Sequence, residues 1–298
     1  MARLALSTAL KRYPSTEALL SGKLSSPDFD FEFHEIEPIH DAFKPMARER
    51  RFDVSEMAIF TFLQAYQYKK PLVLLPVVLA SRFQHGCIVY NTDFHAEMTP
   101  AMLPGKKVGV RAYTQTTGAW VRDILAREHG LDLESVQWVI FEDAHLAEYR
   151  EPSFVTRAPA GAKLLPMLMS GQIDAAILGN DLPDDPRIRP VIPNAATAGR
   201  AWHDATGLIP INHMLVVKSD LLRFRPELVG EIYDLFRRSK DMAGPSPGGV
   251  DMKPLGFEAV APSLDLAIRL AHEQQIISRR FSVEELFAES RAVLGGAI

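Results

Sequence analysis

The stretch LASRFQHGCIVYN, residues 79–91, sets polar groups between two apolar runs. PLVLLPVVLA, residues 71–80, leads into it, and CIVY, residues 87–90, follows. Both runs read as buried strands. Between them stand Ser81, Arg82, Phe83, Gln84 and His85, and a sheet continuing through them would have to bury an arginine and a histidine. The interruption therefore reads as a crossing between two α/β units, with Arg82 and His85 at a hinge and facing a cleft.

Outward from that crossing, strands and helices alternate. Toward the N-terminus, RLALSTA reads as a strand and STEALLSGK as a helix start with Ser15 or Thr16 as its cap. FDFEFHEI has the period of two of a half-buried strand. DAFKPMARERR is helical in pattern, with Pro45 obscuring its start. A short strand at residues 52–54 precedes a helix in FDVSEMAIFTFLQAYQYKK, and LVLLPVVL is a strand kinked at Pro76.

Toward the C-terminus, KKVGVRA is a strand and TQTTGAWVRDILAREHG a helix stopped by Gly130. VQWVIF is a strand, KLLPMLMSGQ a helix in spite of Pro166, and IDAAILG a strand. NDLPDDPRIRPVIPNAATAG, rich in proline and acid, reads as a surface connection. LIPINHMLVVK returns as a strand, and the rest is helical apart from the loop AGPSPGGVD. Such alternation argues for parallel α/β sheets. Residues 1–85 with 206–298 are expected to form one lobe and 86–205 the other. A second crossing falls near residues 207–217, and the ligand lies between the lobes.

Bulk properties exclude several classes. A length of 298 residues with 47% hydrophobic side chains allows one large domain or two medium ones. A net charge of −4 offers no basic footprint for nucleic acid. No window reaches the length of a membrane span. The N-terminal MARLALSTALKRYPS reads as a first strand and a polar turn rather than an export signal, so a cytoplasmic location is expected. The one cysteine, Cys87, excludes an internal disulfide and reads as core.

Several residues carry chemistry. Arg82 offers a bidentate fork for a carboxylate and His85 a proton near neutral pH. Their plain alternative is a surface ion pair and a histidine satisfied by carbonyls. His213 is polar at the start of an apolar strand, either a core histidine or a partner to His85 at the second crossing. Tyr113, Thr114, Thr116 and Thr117 lie at a helix start, where hydroxyls and amides cap the helix, bind an anion, or both. Trp120 reads as core. Glu56 follows the strand at 52–54, where α/β sheets present site residues, and either meets a substrate hydroxyl or is a solvated loop carboxylate. His34, Glu35, Glu37 and His40 match no zinc spacing, so no metal is expected. Arg48 to Arg51 read as a solvated helix end, and Gly105, Gly109 and Gly118 make no phosphate loop.

In order and spacing, FDVSEMAIFTFL, SRFQHGCIVYN, VGVRAYTQTTGAWVRDIL, GQIDAAILG and GLIPINHMLVVKSDLL resemble the 4,5-dihydroxyphthalate decarboxylase family. Its most specific pieces here are Arg-Phe-x-His at 82–85, Thr-x-x-x-Trp-x-Arg at 116–122 and Pro-Ile-x-His at 210–213. The resemblance implies an α/β, two-lobed, type II periplasmic-binding-protein-like fold with a hinge and interlobe cleft. It also implies a cytoplasmic, cofactor-independent decarboxylase of a hydroxylated aromatic carboxylate, with 4,5-dihydroxyphthalate going to protocatechuate. His85, His213 and Glu56 are then the expected catalytic residues, and Ser81, Arg82, Tyr113, Thr116 and Thr117 the expected substrate contacts. The expected partner is a small aromatic carboxylate, with neither nucleic acid nor membrane, and a homodimer is left open. Two other classes stay open: a solute-binding protein for such a carboxylate, and a lyase resembling the menaquinone-pathway enzymes.

Overall fold

The computed structural model describes residues 3–179 and 182–295. In chain order its strands are β1 Leu4–Ala9, β2 Phe29–Phe33, β3 Val54–Ala58, β4 Leu72–Ser81, β5 Ile88–Asn91 and β6 Lys107–Val110. They continue as β7 Gln137–Ile140, β8 Val155–Arg157, β9 Ala175–Ile177, β10 Ile188–Pro190 and β11 Ile211–Lys218. Two compact units result. The first comprises Met1–Arg82, Ile211–His272 and Ile277–Ile298; the second comprises Phe83–Pro210 and Glu273–Ile276. Residues 83–85 and 206–210, expected in the first lobe, thus group with the second unit, as does a four-residue return at Glu273–Ile276.

The first unit holds a five-stranded sheet in the order β2-β1-β3-β11-β4. β1 runs parallel to both β2 and β3, while β11 is antiparallel to β3 and β4. β3 is buried along its whole length and β11 along nearly all of its length, polar residues included, whereas the edge strand β2 alternates Phe with Asp and Glu. The helix Pro226–Ala243 lays Ile232, Leu235 and Phe236 onto Leu6, Val54 and Leu215 of the sheet. Burying each such side chain contributes about 1.5–3 kcal/mol.

Pro76 does not break β4. The strand is the last in the sheet, and its register with β11 shifts between Met214 and Val216. A proline is tolerated at such an edge irregularity because no ladder donor is lost. Its carbonyl accepts from the Gly256 amide at 2.9 Å and the Val78 amide donates to Pro254 at 3.1 Å, so residues 254–256 lie along β4.

The second unit holds a six-stranded sheet in the order β10-β5-β9-β6-β7-β8. β6, β7, β8 and β9 are parallel, and β5 is antiparallel to its neighbours β9 and β10. The helix Thr116–His129 ends at Gly130, whose φ of 65° lets its amide reach the Ala126 carbonyl.

Three local expectations change. The strand read at 52–54 is β3, Val54–Ala58, so Glu56 is a strand residue and not a loop one. The connection read over 180–199 contains β10 and the start of the helix Ala195–Thr206; its residues 180–181 lie outside the described residues. Pro190 closes a three-residue edge strand and Pro193 precedes the helix, so the prolines bound these elements rather than interrupt them. His85–Cys87 forms a 3₁₀ turn between β4 and β5. No described helix is long and apolar enough to cross a membrane.

Candidate active site

The chemistry of the first unit centres on Glu56. In the β3–β11 register Leu215 lies opposite Glu56 and His213 opposite Ala58. Side chains two apart on a strand share a face, so Glu56 and His213 are diagonal neighbours on one side of the sheet. His213 Nδ1 lies 2.6 Å from Glu56 Oε1. The carboxylate is completely buried, a costly position unless donors surround it. Two more do: the Tyr13 hydroxyl donates to Oε1 at 2.7 Å, and the Lys11 amide donates to Oε2 at 3.1 Å. Burial pushes the Glu56 carboxyl up, but the hydrogen bond and charge of His213, the Tyr13 hydroxyl and the Lys11 amide outweigh it. They hold the group below the usual glutamate range.

With Nδ1 committed to an ionised carboxylate, the proton sits on that nitrogen and Nε2 is the one available for exchange. The ring keeps one-fifth of its surface exposed and meets the Phe43 ring edge-on, centroids 4.9 Å apart. A carboxylate that orients an imidazole in this way suits proton transfer.

Tyr13 reaches Glu56 because β1 runs alongside β3 and the chain turns just beyond it. Thr16 fixes the turn: its hydroxyl donates to the Lys11 carbonyl and accepts from the Tyr13 amide, each at 2.8 Å. Burial and the Glu56 charge push the Tyr13 phenol well above the usual tyrosine range, so it remains a donor. Lys253 approaches from the opposite end of the sequence. Its ammonium lies 4.3 Å from the Tyr13 ring centroid and 3.3 Å from Ser15 Oγ. Lys240 anchors that segment, donating to the Lys253 carbonyl and to Asp251 Oδ2 at 2.6 Å each.

Ser81, expected as a substrate contact, donates its hydroxyl to the Met252 carbonyl and so ties down the segment that carries Lys253. Arg82 is half-buried and follows two residues after Ala80, the β4 residue opposite His213. Tyr13 and Lys253 were not singled out from the sequence. Both lie in turns whose composition signals only a turn, and nothing local marks their approach to Glu56.

His85, Tyr113, Thr116 and Thr117 belong to the second unit. His85 is fully buried and its Nε2 lies 3.1 Å from Glu128 Oε1. A Cβ added to Gly199 would sit 2.7 Å from Phe83 Cβ and 3.2 Å from His85 Nδ1, so the neighbouring helix closes over the ring. His85 is thus more deeply buried than His213, with Nε2 on a carboxylate and Nδ1 without a hydrogen-bond partner.

The helix at Thr116 is capped by the extended residue Gln115 without a side-chain hydrogen bond, so the expected threonine cap is absent. Arg122, nearly two turns further on, is fully buried. Its Nε donates to Gln274 Oε1 at 2.8 Å and its Nη2 to the Tyr113 carbonyl at 2.6 Å. The guanidinium lies 3.9 Å from the Tyr113 ring centroid. Arg122 Nη1, Thr116 Oγ1 and the Tyr113 hydroxyl are buried without hydrogen-bond partners. A buried cation beside a helix N-terminus raises the local positive potential. The sequence motif contained this arginine without marking it as the buried charge. His34, in the segment read against a metal site, bonds Ser7 Oγ at 2.8 Å, and no metal-holding cluster is found among the described residues.

No family model matches the chain. Curated relatives do. The 4,5-dihydroxyphthalate decarboxylase of Comamonas testosteroni is 25% identical over 96% of this chain and 97% of its own length. That of Pseudomonas putida is 30% identical over 185 residues, 59% of this chain and 71% of its own length. The chain belongs to the 4,5-dihydroxyphthalate decarboxylase family. As a member of that family it is a decarboxylase, a carboxy-lyase.

Solved structures show what fold this decarboxylase has. The alkanesulfonate-binding protein SsuA from Xanthomonas axonopodis pv. citri matches with a TM-score of 0.55 at 14% identity, over 96% of this chain and 98% of that one. The periplasmic aliphatic sulphonate binding protein SsuA from Escherichia coli matches at 0.59 and 13%, over 95% and 97%. The desulfurization enzyme DSZB matches at 0.55 and 17%, over 95% and 96%. The decarboxylase therefore has the type II periplasmic-binding-protein-like α/β fold.

Proposed function

We propose that this decarboxylase removes one carboxylate from 4,5-dihydroxyphthalate, or a close hydroxylated aromatic dicarboxylate, giving protocatechuate, with His213 as the proton donor. The observation that carries the reading is the 2.6 Å contact between His213 Nδ1 and fully buried Glu56. The names of the two curated relatives support the substrate.

The chemistry needs a place for electrons and a source for one proton. In 4,5-dihydroxyphthalate each hydroxyl is para to a carboxylate. Density from that oxygen moves to the ring carbon bearing the para carboxylate, and this carbon takes a proton from His213 Nε2. The carbon–carbon pair then returns to the ring as carbon dioxide leaves, which restores aromaticity. A dianion and one proton become a monoanion and carbon dioxide. The ring relays its own electrons, so no cofactor is assigned a step.

Glu56 stabilises the imidazolium before transfer and keeps its proton-bearing face fixed, and Tyr13 and the Lys11 amide keep Glu56 ionised. Glu56 touches no substrate and is a positioning residue. Arg82 grips a carboxylate through its two-pronged guanidinium. A positioned acid of this kind is worth about 10²–10⁴-fold in rate.

The test is carbon dioxide release from 4,5-dihydroxyphthalate and a panel of related aryl acids in heavy water. The expected product is protocatechuate with one deuterium at the vacated carbon. If no member of the panel releases carbon dioxide, the reading is wrong.

A further inference from the structure

Asp251, two residues from Lys253, and Glu56, whose charge acts on it, are both already engaged. Asp251 accepts from Lys240 Nζ on one oxygen and from the Lys253 amide, at 3.0 Å, on the other. Glu56 accepts from His213 and Tyr13 on one oxygen and from the Lys11 amide on the other. Glu17 is taken by Arg12, and Glu37 lies 3.8 Å from Lys11 Nζ. Among the described residues no ion pair forms at Lys253, and its ammonium has one hydrogen bond, to Ser15 Oγ. The residue is half-buried, and burial lowers its affinity for a proton against the raising effect of Glu56. An ammonium taken partly out of water without a direct ion pair is unfavourable, and an arriving anion relieves it.

The setting holds the charge in place. Lys240 fixes the Lys253 carbonyl, Ser81 fixes the Met252 carbonyl, and the Tyr13 ring supports the ammonium from one side. The same Tyr13 donates to Glu56, so Lys253 and His213 flank one tyrosine–carboxylate pair.

We propose that Lys253 is a carboxylate-binding site and that it takes the carboxylate of the aromatic dicarboxylate which the reaction retains. This rests on the reading of Glu56 and His213 as the proton-transfer pair, because only then does the second carboxylate need an anchor beside them. Lys253 would make the enzyme prefer a dicarboxylate to a monocarboxylate.

The test uses phthalate and benzoate, which carry no ring hydroxyl to drive the reaction, and so reads binding without turnover. Calorimetry on the full chain should show phthalate binding at least about tenfold tighter than benzoate, as a charge-assisted hydrogen bond provides. In Lys253→Met that preference should collapse to within about twofold, and in Lys253→Arg, which keeps the charge, most of it should survive. Lys253→Gln carries the measurement if the Met variant does not fold. With 4,5-dihydroxyphthalate, KM should rise in the Met variant more than kcat falls. The proposal is overturned if the wild type shows no preference for phthalate. It is equally overturned if the Met or Gln variant keeps the preference, or if both ligands weaken alike. A wild type that releases no carbon dioxide yet loses its phthalate preference on substitution would sink the decarboxylation reading and leave the carboxylate site standing.

Discussion

Glu56→Gln changes one atom in the buried pair and separates orientation from charge. Oε1 now accepts from both His213 Nδ1 and the Tyr13 hydroxyl, and Oε2 from the Lys11 amide. If the amide oxygen keeps the Oε1 place, the new NH₂ faces the Lys11 N–H, donor against donor. If it flips, His213 Nδ1 must become an acceptor, and the imidazole loses the form in which Nε2 can be an acid. In the first case the loss is one charge-assisted hydrogen bond to the imidazolium, about 1.5–3 kcal/mol. At 1.36 kcal/mol per decade, kcat should fall about ten- to a hundredfold, and further if the flipped form dominates. KM should change by less than about threefold, because Glu56 is sealed beneath the sheet face and meets no substrate.

Stability gives a second reading of the same variant. The donors around Glu56 depress its folded pKa, so they stabilise the wild type above the unfolded value. That gain is lost as the pH falls through the folded value. The stability gap between wild type and Glu56→Gln should therefore be full near neutrality and shrink below about pH 4.3, the unfolded glutamate value. Carbon dioxide release at saturating substrate and thermal unfolding across pH 3 to 8 measure both effects. A folded variant with kcat within threefold of wild type would refute the role given to Glu56.

Other substitutions probe neighbouring claims. His213→Asn should lower carbon dioxide release by about 10²–10⁴-fold while aryl-acid affinity in calorimetry stays nearly constant, because proton transfer is felt only in the transition state; equal losses in both would make His213 a binding residue. Arg82→Lys keeps the charge but loses the fork, so a dicarboxylate should bind about tenfold more weakly, and unchanged affinity would remove Arg82 from the site. Gly118→Ala sets a helix gain of about 1 kcal/mol against an overpacking cost of about 1–3 kcal/mol. The added Cβ would meet Val110 Cγ2 at 2.8 Å and Arg122 Nη1 at 3.3 Å, so the midpoint of thermal unfolding should fall; a rise would show that the second unit yields there.

Local pattern was enough for the α/β character. Alternation in FDFEF, the unbroken apolar runs of β4 and β11 and the helix stop at Gly130 are set by neighbours in the chain, and so can be read from it. Glu56 and His213 could be marked as polar residues on apolar strands. Their pairing could not, because it depends on the β3–β11 register, a contact between residues 157 positions apart. The misplaced strand at 52–54 shows the same limit, since Ser55 and Glu56 look like loop residues until burial and donors are supplied from elsewhere.

His85 and Lys253 mark the division most clearly. An arginine and a histidine three apart are conspicuous in sequence, yet Glu128 and Gly199 fold over the histidine and bury it. Lys253 is one of many lysines in sequence, and its character comes from Asp251, Glu56 and Lys240, whose bonds leave it without a direct ion pair. Sequence alone determined most of the segments that become strands and helices, because backbone propensity and the period of burial act over a few residues. Tertiary structure decided which polar side chains are satisfied and which are left to act, because burial and the supply of partners are set by segments distant in the chain.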